Sequence, residues 1–505
     1  MTKQKTQILR PDYRMKAGFL LLIVLILLSC NKTLRNSSSQ KPNIIYVLAD
    51  QWRARATGYN GDPNLKGLTP NLDRLEESGV NFANAVSVCP VCTPYRAALL
   101  TGRYPTSTGM FFNDIQLPAE EYTMAEMFRE SGYKTAYIGK WHLDGMGRHE
   151  FTPPERRQGF DYWKGLECSH EYNNLLYYSG DSDEKHYWEG YGPYAETKDA
   201  ISYIRKNAGS GEPFLLFISW GAPHFPHNSA PEELQKIFLE KGIELLPNVL
   251  PGQKEAAAKE SVGYYAHILA LDKCIGDLQK TIIEAGIEDN TIFVFTSDHG
   301  EMMGSQGVRP KLKQLPYAES ARVPFLLKYP YLFGNKTITV EAPVNTPDIL
   351  PTLLDLAGIP VPESIEGESM TKAILKPDKF KDKAALIMNI SPFDNQENDE
   401  YRGIYTRQYT YIKNLDGPWL MFDNIADPYQ MNNLVLDPAN KNLLKRLDSR
   451  LLKELKKAGD EFHPRDYYIE KWGYKLNKWG NIDYSPGAEP QGPAINITSK
   501  SKFQK

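Results

Sequence analysis

The stretch Cys92-Thr93-Pro94-Tyr95-Arg96, followed by Thr101-Gly102-Arg103, brings together a nucleophile, a cation and the signals of a short helix. Thr93 can cap a helix, Pro94 suits its first position, Ala97-Ala98-Leu99-Leu100 propagate it and Gly102 ends it. The spacing predicts Cys92 at the mouth of that helix, where unpaired N–H groups and the positive dipole end favour an anion such as sulfate. Far from it in the chain, Asp50 and Asp298 each follow an apolar run. Two carboxylates with added oxygen ligands suit a hard divalent cation, Ca2+ or Mg2+.

Such groups need elements that bring them together. Four apolar runs end in polar residues: Asn43 to Ala49 in Asp50-Gln51, Lys134 to Gly139 in Lys140-Trp141-His142, Phe214 to Trp220 in Gly221-Ala222-Pro223-His224, and Thr291 to Ser297 in Asp298-His299. Capped helical stretches alternate with them, opened by Thr69-Pro70, by the Thr123/Glu126 capping box and by Thr346-Pro347. The pattern predicts an α/β domain over 42–383, a large mixed but mostly parallel sheet sandwiched by helices. In such sheets ligands bind at the carboxyl ends of the strands. The segment from Phe225 to about Gly263 carries no readable pattern and is given no elements. From about Ala384 the texture changes to short aromatic runs, Tyr401–Thr406, Tyr409–Ile412 and Trp419–Phe422, then a charged amphipathic stretch from Lys441 to Lys457. This predicts a C-terminal α+β subdomain over 384–483, an antiparallel sheet with one helix, and an irregular tail over 484–505.

C-x-P-x-R followed by T-G resembles the maturation signature of type I sulfatases, of the alkaline-phosphatase-like superfamily, and the resemblance runs from about Pro42 to Leu434. It implies that Cys92 is converted by a formylglycine-generating enzyme to an aldehyde whose hydrate attacks sulfur. Arg96 would steady that hydrate. Lys140 would bind the sulfate, His142 would act as the base that releases it, and His224 with Lys313 would meet the leaving alcohol oxygen; Lys311 is the alternative to Lys313. Asp50, Gln51, Asp298, His299 and an oxygen of residue 92 would hold the metal, Ca2+ with Mg2+ possible. Many family members have Asp where Gln51 stands and Asn where His299 stands, so this site would carry less negative charge. Relatives with the same replacements cleave phosphorus esters, which makes a phosphonate or phosphate diester hydrolase the alternative activity. An inactive glycan-binding lipoprotein is a third reading, opposed by the complete set of catalytic residue types.

Asn113, Asp114, Arg148, Glu167, His170, Glu171 and Asn173 lie in loops rich in Tyr and Trp, a mixture that suits sugar hydroxyls and ring faces. With the surrounding strings they resemble glycan-degrading sulfatases, some of which remove 4-O-sulfate from galactose or N-acetylgalactosamine. The formal net charge is −3, with basic residues scattered beyond the leader, and nothing points to nucleic acid. Residues 1–29 read as a signal segment, with a basic stretch from Lys3 to Lys16, an apolar one from Gly18 to Leu28, and Leu27-Leu28-Ser29-Cys30 resembling a bacterial lipobox. Lipid on Cys30 and a flexible tether over 30–41 would anchor the enzyme to a bacterial cell envelope, periplasmic or surface-exposed. The three cysteines left, Cys89, Cys168 and Cys274, are odd in number and set no disulfide framework.

Overall fold

Ten strands form the main sheet in the computed structural model, which describes residues 41–392, 400–478 and 480–482. The expected signal segment, Cys30, most of the tether and the tail lie outside the described residues. In chain order the strands are β1 (Asn43–Asp50), β2 (Val80–Phe82), β3 (Lys134–Lys140), β4 (Tyr162–Leu166), β5 (Leu176–Ser179), β6 (His186–Tyr187), β7 (Phe214–Pro223), β8 (Thr291–Ser297), β9 (Phe325–Lys328) and β10 (Ile338–Val340). Across the sheet they run β10-β2-β9-β8-β1-β7-β3-β4-β5-β6. The five strands from β8 to β4 are parallel, and antiparallel pairs begin at β9 on one side and β5 on the other.

β1 shows why the central strands read as unbroken apolar runs. Ile44, Tyr46 and Leu48 enter one core while Ile45, Val47 and Ala49 enter another, so both faces of the pleat are covered. The helix Lys254–Glu284 covers the second face with Tyr264, Ile268, Leu271, Ile275 and Leu278. Its first turns, with the helix Glu232–Lys241, fill the segment the sequence left without elements. Pro231, Gly242 and Pro251-Gly252 flank these helices and break up the pattern, while Gly263 lies buried inside the second one.

A separate sheet of β11 (Ala385–Asn389), β12 (Tyr401–Tyr405), β13 (Tyr409–Asn414) and β14 (Gly417–Asp423) is antiparallel throughout. The helix Lys441–Lys457 aligns Leu447, Leu451 and Leu455 on its buried stripe, the spacing of an amphipathic helix. Arg402, fully buried, is held by Asp460, which also accepts from the Tyr468 hydroxyl. Two helix starts differ from expectation. The Thr346–Leu356 helix is capped by Asn345, one residue earlier, in a box with Asp348, and the helix bearing Cys92 starts at Cys92 itself.

Candidate active site

Cys92 is the first residue of the helix Cys92–Thr101, every residue of which is buried. Thr93 is therefore inside the helix, and its N–H is taken by Asn113 Oδ1 at 3.0 Å. A loop distant in sequence supplies the cap that the local sequence assigned to Thr93.

Asp50 and Asp298, at the carboxyl ends of neighbouring β1 and β8, meet across Arg96. Its Nη2 lies 3.1 Å from Asp50 Oδ2 and 3.3 Å from Asp298 Oδ2. Nη1 donates to the Lys140 carbonyl at 2.9 Å and to Ser219 Oγ at 2.7 Å, which draws in the ends of β3 and β7. Gly139, at φ 106°, permits that approach, since a Cβ there would stand 2.2 Å from the Ser219 carbonyl oxygen. Lys140 Nζ donates to Asp50 Oδ2 at 2.6 Å. Burial alone would raise the Asp50 carboxyl, but the cations bonded to it, Lys140 and then Arg96, hold it well below the usual carboxylate range.

Around Cys92 Sγ stand His299 Nε2 at 3.2 Å, Lys313 Nζ at 3.3 Å and Asp50 Oδ1 at 3.6 Å. Lys313 also donates to Gln51 Oε1 at 3.2 Å, while the Gln51 amide nitrogen donates to Glu301. Lys311 turns away to Glu260 at 2.8 Å, so of the two lysines it is Lys313 that reaches Cys92. His299 Nδ1 faces the Gly300 carbonyl at 2.9 Å. A carbonyl only accepts, so Nδ1 carries the proton and Nε2 presents its lone pair. One ligand atom each from Asp50, Cys92, Asp298 and His299 lies within 4.8 Å of the others. Two carboxylates beside a bare imidazole nitrogen fit a divalent cation, with the Gln51 oxygen close by.

His142 Nε2 lies 2.7 Å from Asp114 Oδ1. His224 Nδ1 donates to the Phe225 carbonyl at 2.8 Å, and its ring stacks on His170 with centroids 4.2 Å apart. Burial, then His170 and Lys313, hold His224 well below the usual histidine range. His224 is therefore neutral, with its Nε2 bare.

The family model for sulfatases matches residues 42–359, and one for the C-terminal region of N-sulphoglucosamine sulphohydrolase matches 312–457. The ulvan-active sulfatase of Formosa agariphila is 52% identical over 463 residues, covering 91% of this chain and 90% of that protein. The chain belongs to the sulfatase family. An endo-4-O-sulfatase of Bacteroides thetaiotaomicron is 30% identical, over 86% of this sulfatase and 96% of its own length. A solved structure from the same organism, described for the metabolism of multiple glycosaminoglycans, superposes with a TM-score of 0.74 at 28% identity, covering 85% of this chain and 98% of its own. The sulfatase is thus a sulfuric ester hydrolase.

Its outer residues divide. Arg148 is exposed and reaches Asp114 Oδ2 at 3.4 Å; Glu171 and Asn173 are exposed, and Asn173 donates to the Ser229 carbonyl. His170 lies against His224, next to the inner site. Glu167 does not reach outward. It is fully buried, and its oxygens accept from the N–H groups of Leu143, Asp144 and Gly145, so it builds the turn after β3. The sequence reading also passed over Ser219, which anchors Arg96, and Glu301, which orients Gln51. Glu301 was open to detection, being a carboxylate three residues after Asp298 beyond the same strand end.

Proposed function

We propose that this sulfatase removes O-sulfate from a glycan by means of a formylglycine at position 92 and a divalent metal, Ca2+ or Mg2+. The observation that carries the reading is the convergence on Cys92 Sγ of Lys313, His299 and Asp50. A hydrated formylglycine would supply one hydroxyl to attack sulfur and a second whose deprotonation frees the sulfate. A cation held by Asp50, Gln51, Asp298 and His299 would lend Lewis acidity to an oxygen bound to it.

The chain's own residues do the rest. Arg96 fixes the inner oxygens of both aspartates and leaves Asp50 Oδ1 turned toward residue 92. Lys140 and Lys313 place ammonium groups where sulfuryl oxygens gain charge in the transition state. Lys313 is the proton donor to the leaving oxygen. His224, neutral with a bare Nε2, is assigned to accepting a hydrogen bond from the substrate. His142 is the base for the second step, with a buried Nδ1 that lacks a hydrogen-bond partner among the described residues.

For the substrate, the 52% identical relative makes ulvan the first glycan to test. Galactose and N-acetylgalactosamine 4-O-sulfates follow, supported by the endo-4-O-sulfatase relative. The experiment is sulfate release from ulvan and from position-defined sulfated sugars, beside turnover of an aryl phosphate diester. Faster cleavage of the phosphate diester than of every sulfate ester would overturn the reading. We also propose lipid attachment at Cys30 and location at a bacterial envelope. Among the described residues no helix is long and apolar enough to cross a membrane. A Cys30→Ala protein that fractionates with membranes and is processed as the wild type is would refute the anchor.

A further inference from the structure

The loop dipeptide Asn113-Asp114 touches the site at two points. Asn113 Oδ1 accepts from the N–H of Thr93, the residue after Cys92. Thr93 Oγ1 in turn donates to the His142 carbonyl at 2.9 Å, and His142 Nε2 meets Asp114 Oδ1 at 2.7 Å. The path closes on itself through the 113–114 peptide bond. The His142 backbone is fixed from the other side as well, its N–H donating to the Glu167 carbonyl at 2.8 Å. Asp114 and His142 both hold positive φ, 66° and 58°, a conformation that surrounding contacts must maintain.

Chemistry follows from the partner. An ionised carboxylate only accepts, so the proton on Nε2 belongs to the histidine, and in the neutral ring Nδ1 is left with the lone pair. That nitrogen is buried and has no hydrogen-bond partner among the described residues. We infer that Asp114 is a positioning residue that fixes the tautomer and orientation of His142, making Nδ1 the nitrogen that takes a proton in the reaction, and that Asn113 registers this pair on the Cys92 helix. Asp114 is thereby distinguished from a sugar-hydroxyl contact, as which the sequence alone reads it. The carboxylate also stabilises the imidazolium formed when Nδ1 gains its proton, and no other bond is made or broken by the pair.

The inference rests on the proposed role of His142 as base, and two readouts test it. The first needs no matured enzyme. In protein carrying unconverted Cys92 and 15N-labelled histidine, the His142 signals, assigned by their loss in His142→Ala among the nine histidines, should show a protonated Nε2 and a bare Nδ1. Protonation on Nδ1 would overturn the inference. The second uses matured Asp114→Ala and the isosteric Asp114→Asn, assayed on an aryl sulfate and a sulfated oligosaccharide that the wild type turns over. We expect kcat to fall on the order of 10²-fold or more on both, with KM changed by less than about threefold, because orienting a base does not depend on the leaving group. A raised KM confined to the oligosaccharide would make Asp114 a sugar contact. If His142→Ala is inactive while both Asp114 variants keep the wild-type kcat, this inference alone fails. Full activity in His142→Ala would instead remove the proposed base.

Discussion

The floor and the rim of the site are built on different physics. On the floor, Asp50, Asp298, Arg96 and Lys140 are buried and bonded to one another at positions set by strand ends and one helix, and Lys313, buried on the loop after β8, is bonded to Gln51 and Cys92. On the rim, Arg148, Glu171 and Asn173 are exposed and carried by loops. A buried charge that loses its partner pays desolvation in full, whereas an exposed one is screened by water and contributes little. The difference teaches that the floor cannot be altered piecemeal, while the rim can vary with the substrate.

The largest test of that contrast is Asp50→Ala. It should lower turnover by at least about 10³-fold, and by stranding Arg96 and Lys140 it should also cost about 3–5 kcal/mol of stability. Sulfate release and a urea melt on the same protein measure both, and an inactive variant of unchanged stability would show that the floor charges do not depend on each other. Chelation of the metal should abolish turnover likewise, with recovery on adding Ca2+ or Mg2+; full activity in metal-free protein would contradict the metal site.

Next in size is the lysine pair. Lys313→Ala should cost about 10²–10⁴-fold in kcat on sugar sulfates and less on activated aryl sulfates, whose leaving groups need no proton. Lys311→Ala, bonded to Glu260 outside the floor, should stay within about threefold of wild type. Equal losses in the two would erase the distinction drawn from their partners.

Glu167 gives a smaller, pH-dependent effect. Burial, with Asp144 adding to it, pushes its carboxyl up to about 8. The folded protein then retains a proton that the unfolded chain releases above about 4.3, so Glu167 makes stability fall as pH rises from there to about 8 and level beyond. Urea melts across that range should show a shallower decline in Glu167→Gln, and an unchanged slope would place the proton elsewhere. The smallest effect belongs to the rim itself. Arg148→Ala should raise KM for a sulfated oligosaccharide by at most about tenfold and leave aryl sulfate turnover untouched, in steady-state assays of both.

The same contrast explains what the sequence disclosed. Strand ends such as Asp50 and Asp298 were legible because an unbroken apolar run stops at them, and the bounds of the Lys441–Lys457 helix followed from its own periodicity. The Cys92 helix starts two positions earlier than the Thr93-Pro94 signal predicts, because the acceptor that caps it is Asn113, a residue brought there by tertiary folding. Glu167 was read as a sugar contact because composition does not distinguish a carboxylate facing solvent from one holding three backbone N–H groups.

One consequence concerns time. Cys92 is 1% exposed and its helix is buried along its whole length. Under the proposed maturation, another enzyme must grip residues 92–96 and reach the thiol, which the finished fold does not allow. Conversion and folding are then in competition during synthesis, and a chain that folds first is trapped with its thiol. Offering the folded Cys92 protein and a peptide spanning residues 88–104 to the same maturation enzyme should convert only the peptide, as read by mass spectrometry; conversion of the folded protein at the peptide's rate would refute that order.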